Sequence, residues 1–286
     1  MSLTPLDTRA ARRSFEQAAS SYDRHAVLQR EVGKRLLERV AFFDHQPNVI
    51  LNLGSGTGEP PLSQEFGKAR VICLDWSAAM LGASVKPSAQ NTWPLCADMH
   101  AIPLAPRSVD LVFSNLALPW SNNLGSIFKE LRRVMKAGSL LAFSCYGPDT
   151  LKELKQAWRA ADDRQHVNDF PDMHDIGDEL VKSGFAEPVM DAEILTLEYP
   201  DVMSLFKEIK ATGSGNTALK RNKGLTTPSQ LQQVQQAYQQ FKQGACFPAT
   251  VEVSYGLTFA PAEGQPMRTG DGEEATFSLE ALLKKS

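Results

Sequence analysis

Cysteine is scarce in this sequence, and its placement does not suggest a metal site. The four cysteines, at positions 73, 96, 145 and 246, form no CxxC pair, and no histidine stands at metal-ligand spacing from them. They are therefore expected to be free thiols in a reducing compartment, and no metal is expected.

Long apolar runs are also missing. No stretch approaches the roughly 18 consecutive apolar residues that a membrane-spanning helix requires. The first thirteen residues hold no apolar segment of the kind found in secretion signals. These absences predict a cytoplasmic protein without a membrane anchor.

The chain has no large excess of positive or of negative side chains. The 286 residues carry 30 basic and 33 acidic side chains, a formal net charge of −3, so no global field attracts nucleic acid or an anionic membrane. What is present is ordinary globular composition, with 42% hydrophobic residues available for a core. The length is about twice that of one average domain, which allows a core with a substantial attachment.

Strand and helix patterns alternate through the first half of the chain. Nearly continuous apolar runs, typical of parallel strands buried on both faces, occur at 49–53, 69–74, 109–113 and 140–143. Amphipathic stretches with apolar residues three and four apart lie at 26–43 and 124–135. This alternation predicts an α/β fold of the Rossmann-like, doubly wound type with a mostly parallel sheet.

The second half changes character. Its patterns predict helices at 151–161, 176–183 and 231–242, and period-two strands at 192–199 and 249–259. We expect antiparallel edge strands that close the sheet, with inserted lid helices. The predicted organisation is an N-terminal helix and α/β core over 1–145, lid helices and closing strands of the same domain over 146–260, and a loosely ordered tail over 261–286.

The strongest functional signal is the glycine loop that follows the first strand. Gly54, Gly56 and Gly58 permit a tight turn and let a ligand approach the backbone with no Cβ in the way. Asp75 ends the next strand, where a carboxylate can accept hydrogen bonds from both hydroxyls of a ribose. A tight turn and an unrelated surface acid are the alternative, but the order of strand, glycines and acid favours a nucleoside site.

The residue after the third glycine bears on which nucleoside is bound. A dinucleotide-binding loop has Gly or Ala three residues after its second glycine, where this chain has Glu59. A carboxylate would repel a pyrophosphate but is compatible with a sulfonium and an amino group. The loop therefore favours S-adenosylmethionine over NAD.

Side chains after the later strands extend this prediction. Asp98 could bond an exocyclic amino group while Met99 covers a purine face, and a role for Asp98 as an N-cap or loop residue fits the sequence equally well. Asn115 and Trp120 follow the fourth strand, at the carboxyl edge of the sheet where ligands bind in open α/β folds. They are candidates for lining the gap between methyl donor and acceptor.

Several segments together carry a resemblance to one enzyme family. They are 13–15 with 22–23 and 28–31, the glycine loop, 75 with 79–81, 114–118, 130–134, 166–170, 221–225 and 247–250. In these segments the chain resembles the malonyl-acyl-carrier-protein O-methyltransferases of biotin synthesis, within the class I S-adenosylmethionine-dependent methyltransferases. Four positions depart from the family pattern: Asn52 replaces the usual Asp, Ser55 replaces Cys, Pro119 replaces Gln, and 136–139 replaces Lys-Pro-Gly-Gly.

The resemblance implies transfer of a methyl group to the free carboxylate of a malonyl thioester on an acyl-carrier protein. A carboxylate of pKa roughly 4 is already ionised at neutral pH, so no catalytic base is expected and catalysis is alignment. The expected cofactor-binding residues are Asn52, Gly54, Gly56, Gly58, Asp75, Trp76, Asp98, Met99 and Asn115. The expected substrate-binding residues are Tyr22, Trp120, His166 and Arg221.

Carrier proteins are acidic, so a basic docking face is expected despite the net charge. One basic cluster, Lys129, Arg132, Arg133 and Lys136, fits an ordinary solvated helix face, whereas a second, Lys207, Lys210, Lys220, Arg221 and Lys223, is the docking hypothesis. Three other functions compete with carboxylate methylation. They are a methyltransferase-fold assembly factor or arginine hydroxylase for respiratory complex I, a small-molecule methyltransferase with another acceptor, and a cofactor-binding regulator without turnover.

Overall fold

A computed structural model describes residues 3–43, 45–58, 62–84, 91–262, 267–269 and 272–274. The helices are α1 (Thr8–Ala18), α2 (Tyr22–His25), α3 (Val27–Val40), α4 (Leu62–Glu65), α5 (Ala78–Ser84), α6 (Leu124–Val134), α7 (Lys152–Trp158), α8 (Met173–Lys182), α9 (Val202–Ala211) and α10 (Pro228–Tyr238). The strands are β1 (Val49–Leu53), β2 (Arg70–Asp75), β3 (Thr92–Cys96), β4 (Val109–Asn115), β5 (Met135–Tyr146), β6 (Ala186–Tyr199), β7 (Phe247–Phe259), β8 (Met267–Thr269) and β9 (Gly272–Glu274). Short 3₁₀ turns lie at Leu118–Trp120 and Gln239–Phe241.

A seven-stranded sheet in the order β3-β2-β1-β4-β5-β7-β6 forms the centre of the molecule. The first five strands pair in parallel, and β7 and β6 continue the sheet as antiparallel strands. This confirms the predicted α/β fold with antiparallel edge strands. Successive strands are added to one side of β1 up to β3 and to its other side from β4 onward. This change of side opens a crevice at the carboxyl ends of β1 and β4.

Apolar strands and amphipathic helices account for this arrangement. All five residues of β1 are buried because the strand is covered on both faces. One core cluster joins one sheet face to α6 and α8, a second joins the other face to α3, and a third lies among α7, α9 and α10. Cys73 and Cys145 are buried within the two sheet clusters as free thiols.

Side-chain caps define where several helices begin. Asp7, Asn123, Asp172 and Asp201 each accept a hydrogen bond from a backbone N–H in the first turn of α1, α6, α8 and α9, respectively. Thr227 forms a capping box with Gln230 at the start of α10. These bonds satisfy N–H groups that a helix leaves without internal partners.

The predicted tail over 261–286 lies mostly outside the described residues. Within it, β8 and β9 pair as a short antiparallel ribbon. Glu59, on which the choice between S-adenosylmethionine and NAD rests, also lies outside the described part of the chain. Among the described residues, no helix has the length and apolar character needed to cross a membrane.

Candidate active site

A cavity opens at the carboxyl edge of the parallel strands. The described residues that line it are Phe15, Tyr22, Gln29, Gly54, Gly56, Leu74, Asp75, Trp76, Met80, Ala97, Met99, Asn115, Leu116, Ala117, Trp120, Tyr146 and Ser214. The cavity therefore collects residues from the ends of β1, β2, β4 and β5, from the N-terminal helices and from the segment after α9.

The glycine loop forms one wall and needs its glycines for two different reasons. Gly54 and Gly56 have φ values of +66° and +53°, in the left-handed region that favours glycine. A Cβ on Gly54 would also lie only 2.1 Å from the Cβ of Ala117. The Thr57 hydroxyl donates to Asp23 Oδ1 at 2.5 Å, which ties the loop to α2.

Asp75 stands beside the loop with both carboxylate oxygens held by the backbone. Oδ2 accepts from the Gly56 N–H at 2.9 Å and Oδ1 accepts from the Ser77 N–H at 2.8 Å. Burial raises the pKa of Asp75 above its ordinary value, and the two N–H bonds oppose that rise. Each oxygen keeps a lone pair that can accept a further hydrogen bond.

Asn115 is fixed in the opposite wall by two hydrogen bonds. Its Nδ2 donates to the carbonyl oxygen of Gln29 at 2.8 Å, and its Oδ1 accepts from the Ser144 hydroxyl at 2.8 Å. The first bond joins the end of β4 to the first turn of α3. Asn115 therefore sets the distance between the sheet edge and the helix above it.

Aromatic side chains close the cavity on the side of the N-terminus. The rings of Phe15 and Trp120 meet edge to face, with centroids 4.9 Å apart. Tyr146, at the end of β5, packs its ring against Phe170 at 5.1 Å and accepts a hydrogen bond from Gln29 Nε2 at 3.5 Å. Tyr22 lines the same region, and burial raises the pKa of its phenol.

The segment before α1 is held by contacts with distant parts of the chain. The Leu6 N–H donates to Asn122 Oδ1 at 2.7 Å, and the Asp7 N–H donates to the Thr217 carbonyl at 2.7 Å. Asp7 also forms an ion pair with Arg221 at 3.1 Å. These contacts hold α1, and with it Phe15, over the sheet edge.

Five residues expected at the site lie outside the cavity lining. Asn52 is buried in β1 beside Cys73, its partner in β2, and burial raises the pKa of the Cys73 thiol to about 11. Gly58 ends the glycine loop with a φ of +92°, in the region that favours glycine. Asp98 lies in a loop, where its Oδ1 accepts from the His100 N–H at 2.9 Å.

His166 and Arg221 have structural partners instead of a place in the cavity. His166 stacks on Trp158 with centroids 3.6 Å apart, and its Nε2 lies 2.7 Å from Asp162 Oδ1. The Arg221 guanidinium donates hydrogen bonds to the Asp7 carboxylate and to the carbonyl oxygens of Thr217 and Ala218. The segments around both residues resemble the family pattern, but a sequence motif does not show in which direction a side chain points.

Nine described residues of the lining were not among the expected site residues: Phe15, Gln29, Leu74, Met80, Ala97, Leu116, Ala117, Tyr146 and Ser214. Phe15 and Gln29 lie in segments that carried the family resemblance, and Ser214 lies in a stretch without a motif. Tyr146 could have been found by extending the strand predicted at 140–143, because the observed strand runs to Tyr146. Its carboxyl end is therefore three residues further along than the apolar run indicated.

Comparison with known proteins defines the class to which this fold and site belong. The family described as methyltransferase domain matches residues 51–143. The YcgJ protein from Bacillus subtilis has the same fold, with a TM-score of 0.57 at 14% identity over 80% of this chain and 98% of its own. Phosphoethanolamine N-methyltransferase 2 of Haemonchus contortus, solved with S-adenosyl-L-methionine, has a TM-score of 0.53 at 14% identity over 86% of this chain and 57% of its own. The chain has the fold of the class I S-adenosylmethionine-dependent methyltransferases.

Closer relatives identify the family. The malonyl-[acyl-carrier protein] O-methyltransferase of Gallionella capsiferriformans is 45% identical over 90% of this chain and 92% of its own length. A relative of the same name from Nitrosospira multiformis is 42% identical over 90% of both chains. This chain belongs to the malonyl-[acyl-carrier protein] O-methyltransferase family.

The cavity fits S-adenosylmethionine, the cofactor predicted from the loop. Asp75 has lone pairs that could accept from ribose hydroxyls, and Leu74, Met80 and Met99 would offer apolar contact to a purine. Among the described lining residues none is a lysine, arginine or histidine, and Asp75 is the one carboxylate among them. When bound, S-adenosylmethionine supplies an electrophilic methyl group.

Proposed function

We propose that this protein methylates the free carboxylate of a malonyl thioester carried by an acyl-carrier protein. The names of the relatives support this acceptor. So does the cavity itself, because its acceptor side presents phenol and carboxamide groups, which can hydrogen-bond a carboxylate. Site residues in this proposal are those at the cavity: Gly54, Gly56, Asp75, Trp76, Met99 and Asn115 for the cofactor, and Tyr22 and Trp120 for the acceptor.

The chain's part in this reaction is alignment and exclusion of water. A carboxylate with a pKa of about 4 enters the cavity ionised and requires no proton acceptor. Holding a nucleophile within about 3–3.5 Å of the reacting carbon contributes several kcal/mol to lowering the barrier. Phe15 and Trp120 close the cavity, and Asn115 fixes its width, so these residues serve orientation and not proton transfer.

An assay with labelled methyl donor tests the acceptor. Malonyl-acyl-carrier protein should gain a label that mild base releases, because the product is a methyl ester. The unmodified carrier and a carrier loaded with an acyl group lacking a free carboxylate serve as controls and should stay unlabelled. Label on either control, or no label on the malonyl carrier, contradicts the proposal. Hydroxylation of a protein arginine without methyl transfer would instead support the assembly-factor alternative.

Docking of the carrier protein is proposed at the exposed lysines beside the segment that lines the cavity. Lys207 and Lys210 are exposed on α9, and Lys220 and Lys223 are exposed after Ser214. Leu219 and Leu225, exposed by 50% and 94%, add apolar contact next to these charges. Arg221 is excluded because it is paired with Asp7. The first basic cluster has internal partners too, since Arg133 pairs with Glu130 and Lys136 with Asp110.

Charge reversal at this surface separates docking from catalysis. The double variant Lys220→Glu, Lys223→Glu should raise KM for malonyl-acyl-carrier protein about tenfold and leave KM for a small malonyl thioester unchanged. Lys68→Glu, Lys182→Glu is the matched control, because these exposed lysines precede β2 and β6 at the opposite edge of the sheet. Equal effects on both substrates would rule out docking here.

A further inference from the structure

We propose that Gln29 and Tyr146 act with Tyr22 as neutral hydrogen-bond donors that bind the acceptor's carboxylate. This inference rests on the proposed function and assigns the recognition of the carboxylate to particular groups. The three side chains come from three elements, α2, α3 and β5, and all line the cavity.

The first observation is that these groups are not satisfied by the protein. Gln29 Oε1 is buried without a hydrogen-bond partner. Tyr146 accepts from Gln29 Nε2 at 3.5 Å, but no described residue accepts the proton of its hydroxyl, and none bonds the Tyr22 hydroxyl. Of these atoms, Gln29 Oε1 is the one that is both buried and unpaired, a state that costs free energy. The two phenol protons have no acceptor among the described residues, so each is available to an acceptor atom on a ligand.

The second observation is that the donors are held in position. The backbone carbonyl oxygen of Gln29 accepts from Asn115 Nδ2 at 2.8 Å, and the Tyr146 ring packs against Phe170. A half-turn of the Gln29 carboxamide would exchange its two ends, so that Oε1 accepts from the Tyr146 hydroxyl and Nε2 faces the cavity. In both arrangements at least one donor from this pair, besides Tyr22, is available to a carboxylate.

The third observation concerns charge. Among the described residues of this lining no side chain is cationic; Arg30 lines the adjoining cavity beside Tyr22 and Gln29, where its Nη1 donates to the Asp23 carbonyl oxygen. Burial raises the pKa of Tyr22 and of Tyr146, so both phenols remain protonated throughout the neutral range. A lysine or arginine would bind the carboxylate more strongly and draw electron density from the attacking oxygen. Neutral donors orient the nucleophile with less loss of reactivity, and they can still bond the carbonyl oxygen of the neutral ester product.

The test compares Tyr146→Phe, Gln29→Leu and Gln29→Glu with wild type. Tyr146→Phe and Gln29→Leu should each raise KM for malonyl-acyl-carrier protein about tenfold, with cofactor affinity within twofold of wild type. Gln29→Glu should be worse than Gln29→Leu, because it places a second carboxylate against the first. Tyr238→Phe is the matched control: it removes a buried hydroxyl that donates to the Pro248 carbonyl, remote from the cavity lining, and should leave KM unchanged.

A direct binding measurement distinguishes failure of this inference from failure of the proposed function. Calorimetry with malonyl-pantetheine and S-adenosylhomocysteine should show about tenfold weaker acceptor binding in both neutral variants. Equal acceptor affinity in wild type and variants overturns the inference while methylation by wild type still stands. A parallel loss of cofactor affinity and thermal stability in the variants, with unchanged KM, also overturns it, since the residues would then be structural. A wild type that neither binds nor methylates the malonyl group overturns both.

Discussion

Single residues set the shape of the cofactor wall, and Gly54 shows this most directly. Its positive φ and its 2.1 Å approach to the Ala117 Cβ mean that two separate constraints exclude a side chain. Leu116, beside it in the wall, also has a positive φ of 54°. For a leucine this conformation is strained by roughly 1–2 kcal/mol, a cost that the surrounding hydrogen bonds must offset.

Gly54→Ala is expected to lower the free energy of unfolding by ~2 kcal/mol or more and to abolish cofactor binding, because the loop must move to relieve the contact. Chemical denaturation and calorimetric titration with S-adenosylmethionine would measure the two effects. Gly82→Ala is the matched control. Gly82 lies in α5 with nothing within 4 Å of an added Cβ, so alanine there should be neutral or slightly stabilising. Normal cofactor affinity in Gly54→Ala would contradict this account of the loop.

The raised pKa of Asp75 predicts that cofactor affinity falls at acid pH. Burial raises its pKa, so the carboxylate takes up a proton at a higher pH than an exposed aspartate, whose pKa is about 3.9. Since the ionised form is the better acceptor for ribose hydroxyls, cofactor affinity should fall as the pH drops through this raised value. Isothermal titration between pH 4 and 8 would show the loss. Asp75→Asn should bind weakly with no such pH dependence; an unchanged acid limb in that variant would assign the titration to another group.

Among the elements, the segment leading into α1 depends on contacts far away in sequence. Asp7 has two functions there, since its side chain caps α1 through the Ala10 N–H and pairs with Arg221. Both interactions lower the pKa of the Asp7 carboxyl. The charge is needed for the ion pair only, because an asparagine can still cap a helix.

Asp7→Asn is therefore expected to keep α1 but to loosen its closure over the cavity, with faster release of bound cofactor in stopped-flow experiments. Asp7→Ala should add the loss of the cap and so lower stability further. Asp172→Ala removes the equivalent cap from α8, which packs on the sheet away from the cavity, and should cost similar stability with no change in release rate. Identical release rates in Asp7→Asn and wild type would show that the ion pair does not govern closure.

Elements with a strong local pattern were predictable, and those that depend on distant partners were not. The apolar run of β1 was predicted at its observed bounds, Val49–Leu53, because both faces of that strand are buried. The helix starting at Leu151 was placed one residue early, since Leu151 has a φ of +57°. α1 and α9 had no prediction. Gly54, Asp75 and Asn115 follow from their positions at strand ends, whereas the approach of Ser214 and Tyr146 to the same cavity depends on the assembled fold.

On the scale of the whole molecule, buried tyrosine hydroxyls and a buried cysteine thiol make the free energy of unfolding depend on pH in the alkaline range. Burial raises the pKa of Tyr199, Tyr238 and Tyr255, and that of Cys73 to about 11. In the unfolded chain such groups release their protons near pH 8.5 for cysteine and pH 10 for tyrosine. A group with a raised pKa in the folded state stabilises the fold below its unfolded pKa, and this contribution is lost as the pH rises through the folded value.

The free energy of unfolding should accordingly decline from about pH 8.5 upward and more steeply above about pH 10. Urea denaturation at a series of pH values from 7 to 11 would measure this. Tyr238→Phe removes one of the titrating groups and should show a shallower decline above pH 10 than wild type. A stability that is constant up to pH 11 would mean that these groups are less buried in solution than the structure indicates.

The tie between Asp7 and Arg221 joins positions 214 apart in the chain. A ribosome adds residues from the amino end, so the glycine loop and the first five strands emerge long before the partner that fastens the opening segment. A nascent chain shorter than residue 221 lacks this tie, although the bonds between Leu6 and Asn122 can already form. The ion pair that completes the fastening of the opening segment therefore becomes available only late in synthesis.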